Sequence, residues 1–204
     1  MRIWAPIVFL FLSAPICTAS ALADDNPSDG AKEDPWSASL YAGPATTKYV
    51  GAIVQSGFNF HPTAAAMGLD LDRRLFYLGD DLWIGWDAQG VQYLFGHRDT
   101  AYGTGLGFLV NDPFGWNNTK FSIYDGPSWD TDPPFISIGY KEKVHPASRG
   151  RFLNYVSVDF AVQLPHTEKW DGVFQLYHRS GMWGVYSVED DESTVVGFGL
   201  RYRF

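Results

Sequence analysis

From about Trp36 onward, apolar residues alternate with polar or small ones at every second position, in short stretches broken by Gly, Asp, Asn and Pro. A period of two is that of a half-buried strand rather than a helix. It predicts eight strands, over 36–45, 66–77, 81–95, 101–110, 118–129, 150–163, 170–180 and 193–204. A further stretch, 134–142 (PFISIGYKE), has strand chemistry and is expected to be a β excursion within a loop. The connections after strands two, four and six are short (79–81, 111–116 and 164–169), while those after strands one, five and seven are long. The connection around 97–100 is also short and departs from this pattern. Short turns at one end and long loops at the other predict an eight-stranded antiparallel transmembrane β-barrel, all-β, with its short turns in the periplasm.

The last strand is the sharpest instance. In STVVGFGLRYRF, Thr194, Val196, Phe198, Leu200, Tyr202 and Phe204 share one face, and Ser193, Val195, Gly197, Gly199, Arg201 and Arg203 share the other. The first face suits lipid and the second a polar lumen. A soluble edge strand of this composition is an aggregation hazard. The terminal Phe, with an aromatic residue two positions before it, resembles the assembly signal of bacterial outer-membrane proteins.

The start of the chain has a different character. Arg2, the apolar run Ile7 to Leu12 and the small residues Ala21-Leu22-Ala23 predict a signal peptide over 1–23. A flexible, polar periplasmic leader is expected over 24–35 (DDNPSDGAKEDP) and the barrel over 36–204. The one cysteine, Cys17, falls within the signal, so the exported protein is expected to carry no disulfide and no thiolate metal site. Beyond the signal, no run approaches the length of a helical membrane span. The net charge of −8 argues against a nucleic-acid partner. Aromatic residues at 17% against charged residues at 19% fit an apolar outer band with aromatic girdles.

Strand seven (WDGVFQLYHRS) carries the candidate chemistry. Gly172, Phe174, Leu176, His178 and Ser180 share the apolar, lipid-directed face. A polar side chain facing lipid is costly and asks for a reason. One reason is that this end lies among headgroups, where His and Ser cost little. The other is a nucleophile with its base. A serine hydroxyl needs an imidazole to accept its proton, and the imidazole needs a carboxylate to orient it and stabilise its charge. Residues i and i+2 of a strand lie about 7 Å apart at Cα, within side-chain reach. Glu192, in the loop just before strand eight and with the parity of its lipid face, is a carboxylate that the hairpin partner can supply. The spacing permits a triad without requiring one.

The segment from 150 to 204 resembles the lipid A 3-O-deacylase (PagL) family and the wider group of acyloxyacyl-hydrolase-like barrels. His178-x-Ser180 on the penultimate strand and Glu192 fourteen residues after the histidine match the family's triad spacing, and RFLNY (151–155), HRSG (178–181) and the terminal GLRYRF are similar to the wider group. The resemblance implies a serine esterase, with His178 as base, Ser180 as nucleophile and Glu192 orienting the imidazole. Its implied substrate is the ester-linked 3-hydroxyacyl chain at position 3 of lipid A, and it implies neither metal nor cofactor. Lipid A and other outer-membrane lipids are the expected partners, with a homodimer left open.

One departure from the family bears on activity. Where the family follows its serine with Asn-Ala-Gly, using the Asn side chain and the Gly amide to bind the oxyanion, this chain has Gly181-Met182-Trp183. The backbone amides of Gly181 and Met182 are the candidate replacements. Asn154, on the apolar face of strand six, is a candidate supporting residue or an interfacial polar residue. The rival class is a non-catalytic barrel.

Other motifs carry less. DLDRR (70–74) and EDD (189–191) are candidate cation sites that read better as strand and hairpin tip. The glycines of GTGLG (103–107) suit a curved strand. Lys48, Arg98, Lys141, Lys143 and Arg149, in or near the expected outer loops, are candidate phosphate contacts.

Overall fold

The eight strands are β1 (Trp36–Thr46), β2 (Ala64–Gly79), β3 (Leu82–Tyr93), β4 (Thr100–Asn111), β5 (Thr119–Asp130), β6 (Phe152–Gln163), β7 (Trp170–Ser180) and β8 (Glu192–Arg203). Each lies within a few residues of its expected position. In this computed structural model the described residues are 35–46, 64–79, 81–94, 99–131, 151–181 and 192–204. They belong to the compact unit Asp34–Phe204. The expected signal peptide, nearly all of the leader and the 134–142 stretch lie outside them.

Each strand pairs antiparallel with its sequence neighbour, and β1 closes the barrel on β8 with Leu40 opposite Leu200 and Ala38 opposite Tyr202. Closure leaves no free strand edge, which the apolar face of β8 demands. Among the described residues only one short helical turn, Pro113–Gly115, interrupts the strands.

Side-chain parity divides the barrel wall. On the outside, Leu69 (60% exposed) and Phe198 (67%) are representative of a band that also includes Leu40, Met67, Leu106, Phe108, Ile123 and Leu200. So broad an apolar surface is unusual for a protein in water and ordinary for one in lipid. At the end with short turns the band is edged by aromatic pairs, among them Trp170 with Tyr202 and Trp116 with Phe160, at centroid distances of 4.9 and 6.2 Å. Near the other end Tyr102 stacks on Trp129 at 6.4 Å.

The lumen is filled rather than open. Tyr41, Tyr124, Tyr155 and Tyr177 are fully buried inside it. A Cβ on Gly68 would lie 2.1 Å from the Tyr41 ring, and one on Gly105 2.6 Å from the Tyr155 hydroxyl. The glycines of 103–107 therefore make room for inward tyrosines, a role that their expected contribution to strand curvature does not describe.

The polar lumen is cross-linked by arginines. Arg201 donates from Nη2 to Asp159 at 2.7 Å and from Nε to Ser39 Oγ at 2.7 Å. Tyr155 donates to Asp87, and Gln89 Nε2 donates to the other oxygen of the same carboxylate at 2.7 Å. Near the short turns a void of about 20 Å³ lies between Asp72, Arg74, Lys120, Arg201 and Arg203, room for about one water.

Candidate functional site

The site is built on the outward faces of β5, β6, β7 and β8, at the end where the long connections leave. On β7 the inward residues Asp171, Val173, Gln175, Tyr177 and Arg179 are all buried, while Gly172, Leu176, His178 and Ser180 are half-buried and Phe174 is exposed. His178 and Ser180 thus share the outward face that their spacing suggests.

Strand register sets their neighbours. Ser180 lies opposite Asn154 of β6 on one side and opposite Glu192 of β8 on the other. His178, one pleat lower, lies opposite Val156 and Thr194. Directly opposed residues on a common face have Cβ atoms about 4.5–5.5 Å apart, and diagonal ones remain within reach of long side chains. His178, Ser180 and the backbone of Glu192 are therefore brought into one patch. The Glu192 side chain lies outside the described residues, as does Met182. Gly181 follows β7 directly and is buried.

Two further residues complete the geometry. Thr194 Oγ1 lies 2.9 Å from His178 Nδ1, so the ring nitrogen that a triad carboxylate would address meets a hydroxyl here. Asn154 is 5% exposed and donates from Nδ2 to Asp125 Oδ1 of β5 at 2.6 Å, with a longer contact of 3.4 Å to its own neighbour's carbonyl at Tyr155. Sequence reasoning gave neither Thr194 nor Asp125 a role. For Asp125 the signal was present. On β5, Phe121, Ile123, Asp125, Pro127 and Trp129 share the outward face, and Asp125 is the one charged residue among them.

Cation chemistry has a separate location. Asp70, Asp72 and Asp159 bring carboxylate oxygens within 4.8 Å of one another in the lumen. Arg201 Nη2 lies among them, 2.7 Å from Asp159, 3.5 Å from Asp72 and 3.8 Å from Asp70, and supplies the positive charge itself. The other sequence candidate, 189–191, lies outside the described residues, as do the five candidate phosphate contacts.

No protein-family model and no curated protein matches the sequence. Among solved structures the barrel is similar to the outer membrane enzyme PagL, with a TM-score of 0.54 at 10% identity over 82% of this chain and 99% of that one. It is also similar to a de novo designed transmembrane β-barrel (TM-score 0.49, 8% identity, 85% and 98% covered) and to neisserial surface protein A, NspA (0.47, 14%, 83% and 97%). At such identities the likeness is one of fold. The chain is an eight-stranded transmembrane β-barrel of the architecture found in outer-membrane proteins.

Proposed function

We propose that this barrel resides in the outer membrane and is a serine esterase that removes the 3-O-linked hydroxyacyl chain from lipid A. The observation that carries the reading is the outward patch, in which His178 and Ser180 share one lipid-directed face and Glu192 opens the strand paired beside them. Polar groups at that position gain a reason if the substrate is itself a lipid that diffuses to the wall from the outer leaflet. In the tautomer that carries its proton on Nδ1, for which Thr194 Oγ1 at 2.9 Å is an acceptor, Nε2 is the nitrogen that takes the Ser180 proton. Ser180 Oγ then attacks the ester carbonyl, the sugar hydroxyl leaves with the proton from His178, and water releases the acyl chain from Ser180. Glu192 stabilises the charged imidazole, and the Gly181 and Met182 amides are the candidate oxyanion donors.

A second reading, a barrel that binds outer-membrane lipid on this face without cleaving it, is favoured by one feature. His178 Nδ1 already has Thr194 as partner at 2.9 Å, so the imidazole is satisfied without a carboxylate. Mass spectrometry of lipid A from cells expressing the wild type or Ser180→Ala separates the two. Loss of one 3-hydroxyacyl chain with the wild type alone is the expected result. Identical, fully acylated lipid A in both, with folded barrel in the membrane, sinks the esterase reading.

A further inference from the structure

Charge inside the lumen is layered. Asp70, Asp72, Asp87 and Asp159 are buried in its middle, and Arg201 lies against three of them. Nearer the short turns the sign reverses. Around the void at that end stand four cations, Arg74, Lys120, Arg201 and Arg203, and among the described residues one carboxylate, Asp72.

The carboxylates at this level are already engaged. Asp72 accepts from Ser37 Oγ at 2.9 Å and lies 3.5 Å from Arg201 Nη2. Asp171 meets Arg203 through both oxygens, each at 3.2 Å. Arg74 Nη2 donates to Asn111 Oδ1 at 3.2 Å, and Asn111 stands opposite Lys120 in the ladder between β4 and β5. Lys120 differs from the arginines. It is only 8% exposed, and its ammonium nitrogen has no hydrogen-bond partner among the described residues. The charges that act on it most strongly are Arg74 and Arg203, both repulsive, ahead of Asp171.

A buried ammonium offers three protons and accepts none, and without a counter-charge it is costly. A water in the void accepts hydrogen bonds but must also place two protons of its own, on a wall built mainly of donors. A monoatomic anion accepts from every side and brings the missing charge. The void has room for about one water, which excludes phosphate and sulfate by size.

We propose that Lys120, Arg74 and Arg203 form a halide site at the short-turn end of the lumen, holding one chloride-sized anion as counter-ion of the Lys120 ammonium. The inference is independent of the esterase reading, since no residue of the outward patch takes part. An anion held by the folded lumen and not by the unfolded chain makes stability depend on its concentration.

Thermal unfolding in neutral micelles tests this, with sodium chloride exchanged for sodium gluconate at constant ionic strength. Gluconate is too large for the void, so screening stays constant while the site ion is withdrawn. The wild-type midpoint is expected to rise with chloride, by roughly 3–6 °C at ten times the dissociation constant. Lys120→Met is expected to remove that rise. Crystals grown in bromide are expected to show an anomalous peak at hydrogen-bond distance from Lys120 Nζ. Equal wild-type midpoints in the two salts overturn the site, whether or not the variant folds. A bromide peak without a midpoint difference marks an adventitious ion only and overturns it too. The same rise in a folded Lys120→Met places the chloride effect elsewhere. If that variant does not fold, a bromide peak remote from Lys120 overturns the assignment.

Discussion

Arg179 and Asp130 form an ion pair across the lumen, Nη1 to Oδ2 at 2.5 Å, with neither side chain exposed. Arg179 Nε also donates to Ser128 Oγ at 2.9 Å. The two strands involved, β7 and β5, are not neighbours in the sheet, so the contact braces the barrel through its interior. Arg179 stands between His178 and Ser180 in sequence. The residue that separates the candidate base from the candidate nucleophile is therefore the one that ties their strand, through the lumen, to β5 two strands away.

Breaking this pair from one side leaves a buried charge uncompensated. Arg179→Met is expected to destabilise the barrel by about 3–5 kcal/mol, and replacing both partners, as Arg179→Met with Asp130→Leu, to recover most of that loss. Denaturant unfolding of the protein in micelles measures both. If the double variant is no more stable than the single one, the two side chains are not coupled and the brace is elsewhere.

The outward band makes a prediction whose sign depends on the surroundings. Phe198 is 67% exposed, on the lipid-directed face of β8, and it meets Phe174 at a centroid distance of 5.2 Å. In a bilayer, Phe198→Arg is expected to cost about 2–4 kcal/mol of folding free energy. Were that face in water, the same change would be neutral or would improve solubility. Folding titrations into lipid vesicles, with Phe198→Leu as the control for lost area, decide between the two.

The barrel was legible in the sequence because period-two alternation and turn chemistry are local signals, and β8 shows both faces in a single stretch. The outward direction of His178 and Ser180 followed from the same parity. What the sequence hid is set by partners distant along the chain. Asp70 and Asp72 became lumenal counter-charges only through Arg201, which lies in the last strand. The glycines of 103–107 face the lumen, where Tyr155 from β6 fills the space above Gly103 and Gly105. Thr194 and Asp125 are silent one at a time, and register alone brings them to His178 and Asn154. Asp125 was the more accessible omission, because parity on its own strand marks it as a charge among apolar residues.

The pairing of glycine with tyrosine inside the lumen is tested at Gly68. A Cβ there meets the Tyr41 ring at 2.1–2.5 Å, and Tyr41 also donates to Gln89 Oε1 at 3.3 Å. Gly68→Ala is therefore expected to lose about 1–3 kcal/mol through overpacking. Combining it with Tyr41→Leu should cost less than the sum of the two single changes, because the clash disappears with the ring. Strict additivity in thermal or denaturant unfolding would show that the lumen accommodates the methyl group by another route.

Thr194 and Glu192 are rival partners for orienting the imidazole. Thr194 Oγ1 lies 2.9 Å from His178 Nδ1, whereas the family resemblance gives that task to Glu192, which opens β8 opposite Ser180. If the hydroxyl sets the productive ring orientation, Thr194→Val lowers kcat by about ten- to a hundredfold, the equivalent of one lost partner at a buried polar group. KM should stay the same, and Thr194→Ser should restore the rate. A wild-type rate in Thr194→Val together with a large loss in Glu192→Gln would assign the orienting role to the carboxylate and make the threonine contact a resting arrangement. Losses in both variants that fail to add in the double variant would mean that hydroxyl and carboxylate act on one imidazole as a unit.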